Sequence, residues 1–312
     1  MYLITGGAGF IGSNIVEELV RYQQEVRVFD NFSSGRKENL EGFLDGIELI
    51  EGDIRDLAAL RRAMVGVRYV LHQAALRSVP RSVEDPLSTT EVNVQGTLNV
   101  LVAARDAGVR RVVYASSSSV YGDSRLKIQS EDQRPYPISP YAVSKLSGEL
   151  YCRVFSRLYG LETVGLRYFN VFGPKQDPAS EYAAVIPKFI LNALSGLPVE
   201  IHGDGLQSRD FTYVSHVVQA NLLAAKAPGV AGEVFNVGCG ETHTVMDIVL
   251  FLSKFFGREI KWHKTPPRKG DVQRTQADIA KAKRLLGYEV EVEFPVGLAR
   301  TVKHFTGNGQ RA

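Results

Sequence analysis

Tyr141 and Lys145 stand four residues apart in the run Ser139–Lys145, where an apolar-periodic segment begins. Residues at positions i and i+4 lie on one face of a helix, so a helix here would place the lysine ammonium near the tyrosine hydroxyl. A tyrosine with a pKa of ~10 is a poor base at neutral pH, and a fixed cation nearby lowers that pKa by stabilising the phenolate. The pair predicts a tyrosine base assisted by a lysine, although the same spacing is also common on exposed helix faces.

A glycine-rich turn lies near the start of the chain. The apolar run Tyr2–Ile4 leads into Thr5-Gly6-Gly7-Ala8-Gly9-Phe10-Ile11-Gly12, and helical periodicity follows from Ser13 to Tyr22. Glycines allow a tight turn and the close approach of a pyrophosphate, and the helix N-terminus offers N–H groups to the anion. The sequence therefore predicts a dinucleotide site whose contacts are Gly6, Gly9, Phe10, Ile11 and Gly12.

A carboxylate ends the next predicted strand. Glu25–Phe29 is followed by Asp30, eighteen residues after Gly12. A carboxylate at this place binds ribose hydroxyls and repels a 2′-phosphate, so NAD is predicted over NADP. Arg36 and Lys37 come soon after and would either soften that preference or remain solvated. The loop residues predicted to contact the cofactor are Asn31, Phe32, Ser34 and Gly35.

Strands and helices alternate through the first half. After Asp30 the predicted elements are Ile47–Ile50, a helix near Leu57–Val65, Tyr69–His72, a helix over Glu91–Ala107, and Arg111–Ala115. This alternation predicts an α/β fold with a doubly wound, Rossmann-like parallel sheet, whose ligands bind beyond the carboxyl ends of the strands. Polar or small residues follow those ends: Asp53 and Ile54 for the adenine, Gln73, Ala74 and Ala75 along the cofactor, and the run Ser116–Ser119.

The composition fits a globular protein with a sizeable core. The chain has 312 residues, 44% of them hydrophobic and 23% charged, with a net charge of +3. The basic residues are scattered, which argues against nucleic acid or a membrane as a partner. Cys152 and Cys239 lie far apart and in no metal-ligand spacing, so free thiols and no metal are expected. The chain enters the glycine turn at once, leaving no room for a signal peptide, and we expect a cytoplasmic protein.

Taken together, these motifs resemble the extended short-chain dehydrogenase/reductase family of nucleotide-sugar enzymes. The resemblance covers essentially the whole chain, since it continues through Asn93–Thr97, Leu166–Pro174, Ser208–Phe211 and Arg268–Asp271. It implies that Tyr141 is the base, that Lys145 also holds the nicotinamide ribose, and that Ser117 contacts the reacting sugar hydroxyl. Ser116 and Ser118 are close enough to leave the choice of serine open. The remaining cofactor contacts implied are Arg77, Asn93, Ser116 and Tyr168.

The serine run bears on the reaction. Members of the family that remove water from the sugar carry an Asp-Glu pair directly after the hydroxyl residue, and decarboxylating members carry a glutamate in that segment. This chain has Ser118 and Ser119 there. Without a second acid or base, the simplest cycle oxidises one carbon and reduces the same carbon again. The resemblance therefore implies a UDP-sugar 4-epimerase that keeps its NAD and regenerates it at each turnover.

The second half is expected to bind the sugar nucleotide. The residues predicted to contact it are Ser117, Ser118, Tyr141, Asn170, Ala184, Val185, Ile201, His202, Arg209, Arg268, Asp271 and Thr275. In the epimerases, a tyrosine four residues after the Gly-Asp aspartate excludes an N-acetyl group, and this chain has Thr275 there, with a small Ala184 nearby. The resemblance thus implies a UDP-N-acetylglucosamine epimerase that also accepts UDP-glucose.

Other functions stay open at this point. A UDP-glucuronate 4-epimerase would need partners for the sugar carboxylate, for which Lys175 and Lys188 are candidates. A non-catalytic NAD-sensing regulator would keep the glycine turn without needing the serine, tyrosine and lysine. A net reductase would use NADPH, which Asp30 argues against.

Chain order predicts two lobes and a dimer. Residues 1–173, completed by about 206–239, would form the NAD-binding domain, and residues 174–205 and 240–312 a smaller UDP-sugar-binding lobe. Phe211–Val214 and Val234–Gly238 are expected to return to the large sheet. A homodimer through a four-helix bundle is implied by the resemblance; its candidate apolar residues are Leu98, Leu101, Val102, Leu146, Leu150 and Val154.

Overall fold

The computed structural model describes residues 1–124, 126–178, 184–266 and 274–307. The strands are β1 (Tyr2–Thr5), β2 (Val26–Asp30), β3 (Ile47–Glu51), β4 (Tyr69–His72), β5 (Arg111–Ser117), β6 (Glu162–Tyr168), β7 (Val171–Phe172), β8 (Val199–His202), β9 (Ser208–Arg209), β10 (Thr212–Tyr213), β11 (Glu233–Val237), β12 (His243–Thr244), β13 (Trp262–Thr265) and β14 (Arg274–Thr275). The helices are α1 (Phe10–Arg21), α2 (Leu57–Ala63), α3 (Val79–Glu84), α4 (Pro86–Thr90), α5 (Thr97–Asp106), α6 (Pro140–Tyr159), α7 (Val185–Leu194), α8 (Val214–Lys226), α9 (Val245–Phe256), α10 (Ala280–Leu286) and α11 (Phe294–Phe305). Short 3₁₀ turns cover Lys37–Asn39, Glu41–Gly46 and Ser118–Tyr121, and a π-helical turn, Glu91–Gly96, precedes α5.

A large parallel sheet carries the fold. Within the described ranges it has seven strands in the order β11-β6-β5-β4-β1-β2-β3, and each neighbouring pair is parallel. The order reverses between β1 and β4, which is where a doubly wound sheet opens a crevice for ligands. The predicted fold class is therefore confirmed.

Helices cover both faces of this sheet. On one face, α1 and α8 bury residues such as Ile15 and Val217 against the strands. On the other face, α2, α5 and α6 bury Leu60, Leu101 and Phe155 in a second core. Burial of both faces explains why the strands are nearly continuous apolar runs instead of alternating ones.

A third core lies in the smaller lobe. It joins α7, α9 and α11, and its aromatic centre includes Phe172, Phe211 and Phe294. Three small sheets lie around it in the part of the chain that the structure describes: β12-β9-β14, β13-β8 and β10-β7. The domain boundaries given above stay a prediction.

One predicted strand lies elsewhere. β11 joins the edge of the large sheet as expected, but Phe211–Val214 does not return to it, and that prediction is wrong. Thr212 and Tyr213 pair with β7 in a separate two-stranded sheet. The cause is packing, because the Phe172 ring meets Tyr213 with centroids 5.7 Å apart in the third core.

No helix among the described residues is both long and apolar enough to cross a lipid bilayer.

Candidate active site

The start of α6 sets the positions of Tyr141 and Lys145. The Ser139 side chain caps the helix by accepting a hydrogen bond from the Ala142 N–H at 3.2 Å, and Pro140 occupies the first turn, where its missing N–H costs nothing. Lys145 is buried, its Nζ donates to the Ala115 carbonyl at 2.8 Å, and that nitrogen lies 5.9 Å from the centre of the Tyr141 ring. The cap thus fixes the phenol and the ammonium at the end of β5.

Burial governs the protonation of this pair. Burial raises the pKa of Tyr141. A hydrogen bond with Ser117 and the charge of Arg77 lower that pKa, but by less than burial raises it. The net direction is opposite to the lowered pKa predicted from the neighbouring lysine. Burial also lowers the pKa of Lys145 to about 8. A desolvated ammonium is thus held beside a phenol whose ionised form gains help from Ser117 and Arg77.

The structure distinguishes Ser116 from Ser117, two of the three candidate serines. Ser116 is buried and its Oγ donates to Glu149 Oε1 at 2.5 Å, so this hydroxyl is already engaged. Ser117 hydrogen-bonds Tyr141 and also accepts the Ser119 N–H at 3.1 Å. Ser117 is thus the serine that shares a hydrogen bond with the phenol.

Behind the serine run lies a buried ion pair that the sequence analysis missed. Arg167 donates to both Glu149 oxygens, at 2.9 and 2.7 Å, and to the Tyr121 hydroxyl at 2.9 Å. The Tyr121 hydroxyl in turn donates to Asn236 at 2.7 Å. The available signal was spacing, since Glu149 stands one further helical repeat beyond Lys145 on the same face.

A cavity of about 470 Å³ runs along the carboxyl ends of β1, β2 and β4. The predicted cofactor residues that line it are Gly6, Gly9, Phe10, Ile11, Gly12, Asp30, Asn31, Ser34, Gly35, Asp53, Ile54, Gln73, Ala74, Ala75, Arg77, Ser116, Lys145 and Tyr168. Lining residues that the sequence analysis did not assign to the cofactor include Arg55, Arg81, Gln176, Asp177 and His304.

The glycine turn fits a dinucleotide. Gly6 has a φ of +69°, and a Cβ there would lie 2.7 Å from the Ala74 Cα. A Cβ on Gly12 would collide with the Gly6 carbonyl oxygen. No side chain caps the first turn of α1. The N–H groups of that turn are therefore available to bind a pyrophosphate.

Two carboxylates line the end of the cavity that is predicted to hold the adenosine. Asp30 accepts the Ala8 and Phe32 N–H groups at 2.9 and 2.8 Å, and its burial raises its pKa. Hydrogen bonds from Arg55 are the main cause of the lowered pKa of Asp53, which also accepts from Asn31 at 2.9 Å. An ionised Asp53 and an anchored Asp30 suit ribose and adenine recognition.

Three residues predicted to contact the cofactor do not line this cavity. Asn93 is buried behind it, where its amide bonds the Leu76 N–H and carbonyl at 2.8 and 2.9 Å. Phe32 turns its ring toward Lys37, whose Nζ lies 4.7 Å from the ring centre. Tyr141 lies beside the cavity and not in its wall. The cofactor contacts of Asn93 and Phe32 therefore stay predictions.

A second cavity of about 230 Å³ opens into the smaller lobe. The predicted substrate residues Asn170, Ala184, Val185, His202 and Arg209 line it. Ile201 does not, because it is fully buried in the third core, and its neighbours Glu200 and His202 face the cavity instead. Successive strand residues point to opposite sides, which places the Ile201 side chain in the core, and its contact with the substrate stays a prediction.

Thr275, the residue predicted to decide whether an N-acetyl group fits and called the gate from here on, lies at one side of this second cavity. Thr275 on β14 pairs with Arg209 on β9, and Asn170 Nδ2 donates to the Thr275 hydroxyl at 3.4 Å. Asp210, next to Arg209, is buried and accepts the N–H groups of Cys239, Gly240 and Ala277. Asp210 therefore holds the strands that carry the gate and the arginine. Arg268 and Asp271 lie outside the described residues.

Among the residues that the structure describes, no group of three or more His, Cys, Asp or Glu side chains is placed to hold a metal ion.

The model of the NAD dependent epimerase/dehydratase family matches residues 2–238. Among curated relatives, a UDP-glucose 4-epimerase of Mycolicibacterium smegmatis is 39% identical over 99% of both chains. A UDP-glucuronate 4-epimerase of Thermodesulfobacterium geofontis is 33% identical over 96% of this chain and 94% of the relative.

Solved structures that are similar to this chain also include UDP-sugar 4-epimerases. A UDP-N-acetylglucosamine 4-epimerase from Methanobrevibacter ruminantium, in complex with UDP-N-acetylmuramic acid, superposes with a TM-score of 0.94 at 40% identity over 98% of each chain. A UDP-glucose 4-epimerase of Thermus thermophilus in complex with NAD superposes with a TM-score of 0.90 at 39% identity, over 98% of this chain and 99% of the other.

Proposed function

This chain belongs to the NAD dependent epimerase/dehydratase family, and on that premise we propose that it interconverts UDP-N-acetylglucosamine with UDP-N-acetylgalactosamine and also acts on UDP-glucose and UDP-galactose. The observation that carries the proposal is the contact of Ser117 with Tyr141 beside a buried Lys145. That trio sits where the cofactor cavity reaches the end of β5.

In the proposed reaction, Tyr141 takes the proton of the sugar 4-hydroxyl and later returns it. Ser117 shares a hydrogen bond with that phenol and orients the sugar hydroxyl, and the Lys145 ammonium favours the phenolate. NAD, when bound, supplies the hydride acceptor and donor for the same carbon. The protein holds the sugar carbon next to the cofactor and transfers one proton.

The surroundings of the serine run favour epimerisation over elimination of water. Glu149 is the carboxylate that contacts this run, and Arg167 binds both of its oxygens. Both oxygens of this carboxylate are already engaged in the buried ion pair, which argues against its use as a second acid or base. We therefore assign no dehydratase step to this site.

The sugar preference rests on the gate. Thr275 presents a hydroxyl and a methyl group where a tyrosine would fill the space, and Asn170 holds that hydroxyl. Ala184 adds a small side chain to the wall of the second cavity. An N-acetyl group at C2 of the sugar is thus proposed to fit.

UDP-glucuronate is the second candidate, supported by the relative of that name. Its carboxylate would need hydroxyl or cationic partners, and of the candidate cations Lys175 Nζ is bound to Glu17 at 2.6 Å and Lys188 Nζ to Glu200 at 2.7 Å. Both candidate lysines are thus already paired, which favours neutral sugars. A purely NAD-sensing role would leave the Ser117, Tyr141 and Lys145 arrangement without a purpose.

The test is a coupled epimerisation assay on purified protein without added cofactor. Turnover of UDP-N-acetylglucosamine and, more slowly or equally, of UDP-glucose would support the proposal and show that NAD is retained. Turnover of UDP-galactose with none of UDP-N-acetylgalactosamine would overturn the sugar assignment. Inactivity on both, followed by activity on UDP-glucuronate, would favour the second candidate.

A homodimer and a cytoplasmic location complete the proposal. Val143, Leu150, Val154 and Leu158 form an exposed apolar stripe along α6, which a second copy would cover. Leu101 cannot take part, because it is fully buried in the second core. Light scattering is expected to give the mass of a dimer, and a monomer at micromolar concentration would refute this.

A further inference from the structure

Two loops that line the cofactor cavity meet through an ion pair. Arg36, in the loop after β2, and Asp177, in the loop after β7, both line the 470 Å³ cavity. An Arg36 guanidinium nitrogen lies 2.9 Å from Asp177 Oδ2. The two residues stand far apart in sequence, and their pairing ties the adenosine side of the site to the segment that leads into the smaller lobe.

The loop that carries Arg36 is anchored to the glycine turn. The Arg36 N–H donates to the Ala8 carbonyl at 3.0 Å, and the Asn39 amide donates to the same carbonyl at 2.9 Å. Ala8 in turn donates its N–H to Asp30. Arg36 therefore projects from a fixed wall that already holds the ribose-binding carboxylate.

The wall that carries Asp177 is also held by hydrogen bonds. Asn14 of α1 donates to the Pro174 carbonyl at 3.2 Å, and the Lys175 N–H donates to His304 of α11 at 3.2 Å. Lys175 has a φ of +68°, a strained conformation for a residue other than glycine. Strain of this kind persists only where surrounding contacts enforce it, and it is concentrated at ligand clamps and active sites.

We propose that Arg36 and Asp177 form a clasp that retains NAD between these two walls. An epimerase returns its hydride to the substrate at each turnover, so it has no need to release the cofactor. The ion pair must break before NAD can leave. Its free energy therefore adds to the activation free energy for NAD dissociation. The inference rests on the use of NAD and not on the identity of the sugar.

The expected effect is modest, because the pair is partly exposed. The Arg36 side chain is 54% exposed and that of Asp177 is 25% exposed. Ion pairs of this kind change an equilibrium by about twofold to fivefold, and salt screens them. Loss of the clasp is expected to speed NAD dissociation by about that factor.

The experiment measures exchange of NAD directly. Purified holoenzyme is mixed with an excess of isotopically labelled NAD, desalted at intervals, and the ratio of bound labelled to unlabelled NAD is read by mass spectrometry. The variants are Arg36→Met, Asp177→Asn and the double variant. Lys37→Met is the matched control, since it removes a cation from the same loop whose partner is Glu51, at 3.4 Å, and not Asp177.

Each single variant is expected to exchange NAD faster, the double variant no faster than either, and Lys37→Met at the parent rate. Raising the salt concentration should speed exchange in the parent more than in the variants. If Arg36→Met exchanged NAD faster while Asp177→Asn exchanged it at the parent rate, the clasp would be overturned. Arg36 would then be assigned to direct contact with the cofactor. Unchanged exchange in both, or additive effects in the double variant, would also overturn it. KM for the UDP-sugar should stay at the parent value throughout.

Discussion

Replacing Lys145 with methionine should make the enzyme far slower and the fold more stable. The lysine nitrogen lies 5.9 Å from the centre of the Tyr141 ring. At an effective dielectric constant of about 20, a unit charge at that distance stabilises the phenolate by about 3 kcal/mol. Its loss is expected to lower kcat about 100-fold at neutral pH, because about 1.4 kcal/mol corresponds to each factor of ten.

The gain in stability follows from burial of the same charge. Burial lowers the pKa of Lys145 from 10.5 to about 8, so the folded state holds this proton less tightly than the unfolded state does. Below pH 8 that difference costs the fold about 3 kcal/mol, and the cost disappears as the pH rises toward 10. Loss of the hydrogen bond to the Ala115 carbonyl offsets about 1 kcal/mol of the gain.

The assay is urea unfolding of the NAD-free protein at pH 7 and at pH 10, beside initial rates with saturating NAD. Lys145→Met should be more stable than the parent by roughly 2 kcal/mol at pH 7, with the difference lost or reversed at pH 10. Lys37→Met, which removes an exposed charge, should unfold like the parent at both pH values. A variant less stable than the parent at pH 7, or a stability difference independent of pH, would refute the reasoning.

Three further results are expected. Tyr141→Phe should abolish turnover while UDP and NAD still bind by calorimetry; full activity would show that another group is the base. Thr275→Tyr should remove activity on UDP-N-acetylglucosamine at least tenfold more than on UDP-glucose, as a bulky side chain excludes the acetyl group; equal losses would contradict the gate. Glu149→Ala should lower the free energy of unfolding by about 3–5 kcal/mol, because it leaves the buried Arg167 charge unpaired. A loss of less than about 1 kcal/mol in the free energy of unfolding would show that water reaches this pair.

Local patterns account for most of what the sequence predicted well. The glycine turn, Asp30 and the Tyr141-Lys145 spacing each depend on neighbours within one strand–turn–helix unit, where backbone geometry fixes the outcome. Period-two alternation would also have placed Ile201 in the core had it been applied to β8, since Val199 and Ile201 alternate with Glu200 and His202.

The missed features depend on contacts between distant segments. Nothing near Asp177 marks it as a partner of Arg36, and Glu149 meets Arg167 only because β6 lies beneath α6. The hydrogen bonds between the Asn93 amide and the Leu76 backbone likewise join two separate segments. Burial, which raises the pKa of Tyr141, likewise emerges only when several elements pack together. The predicted domain boundaries, dimer and cytoplasmic location stay predictions.

The position of β11 has a consequence for the order of folding. β11 pairs with β6 at the edge of the large sheet, yet the chain passes through α7, β8 and α8 between the two strands. During synthesis the hydrogen-bonding edge of β6 stays open until residue 237 has emerged, and open edges recruit other chains. A fragment ending at Gly173 would also lack α8 and leave Ile15 and its neighbours uncovered. The cofactor-binding half is therefore not a separable module: it should aggregate when expressed alone, and the two lobes should unfold in a single cooperative step.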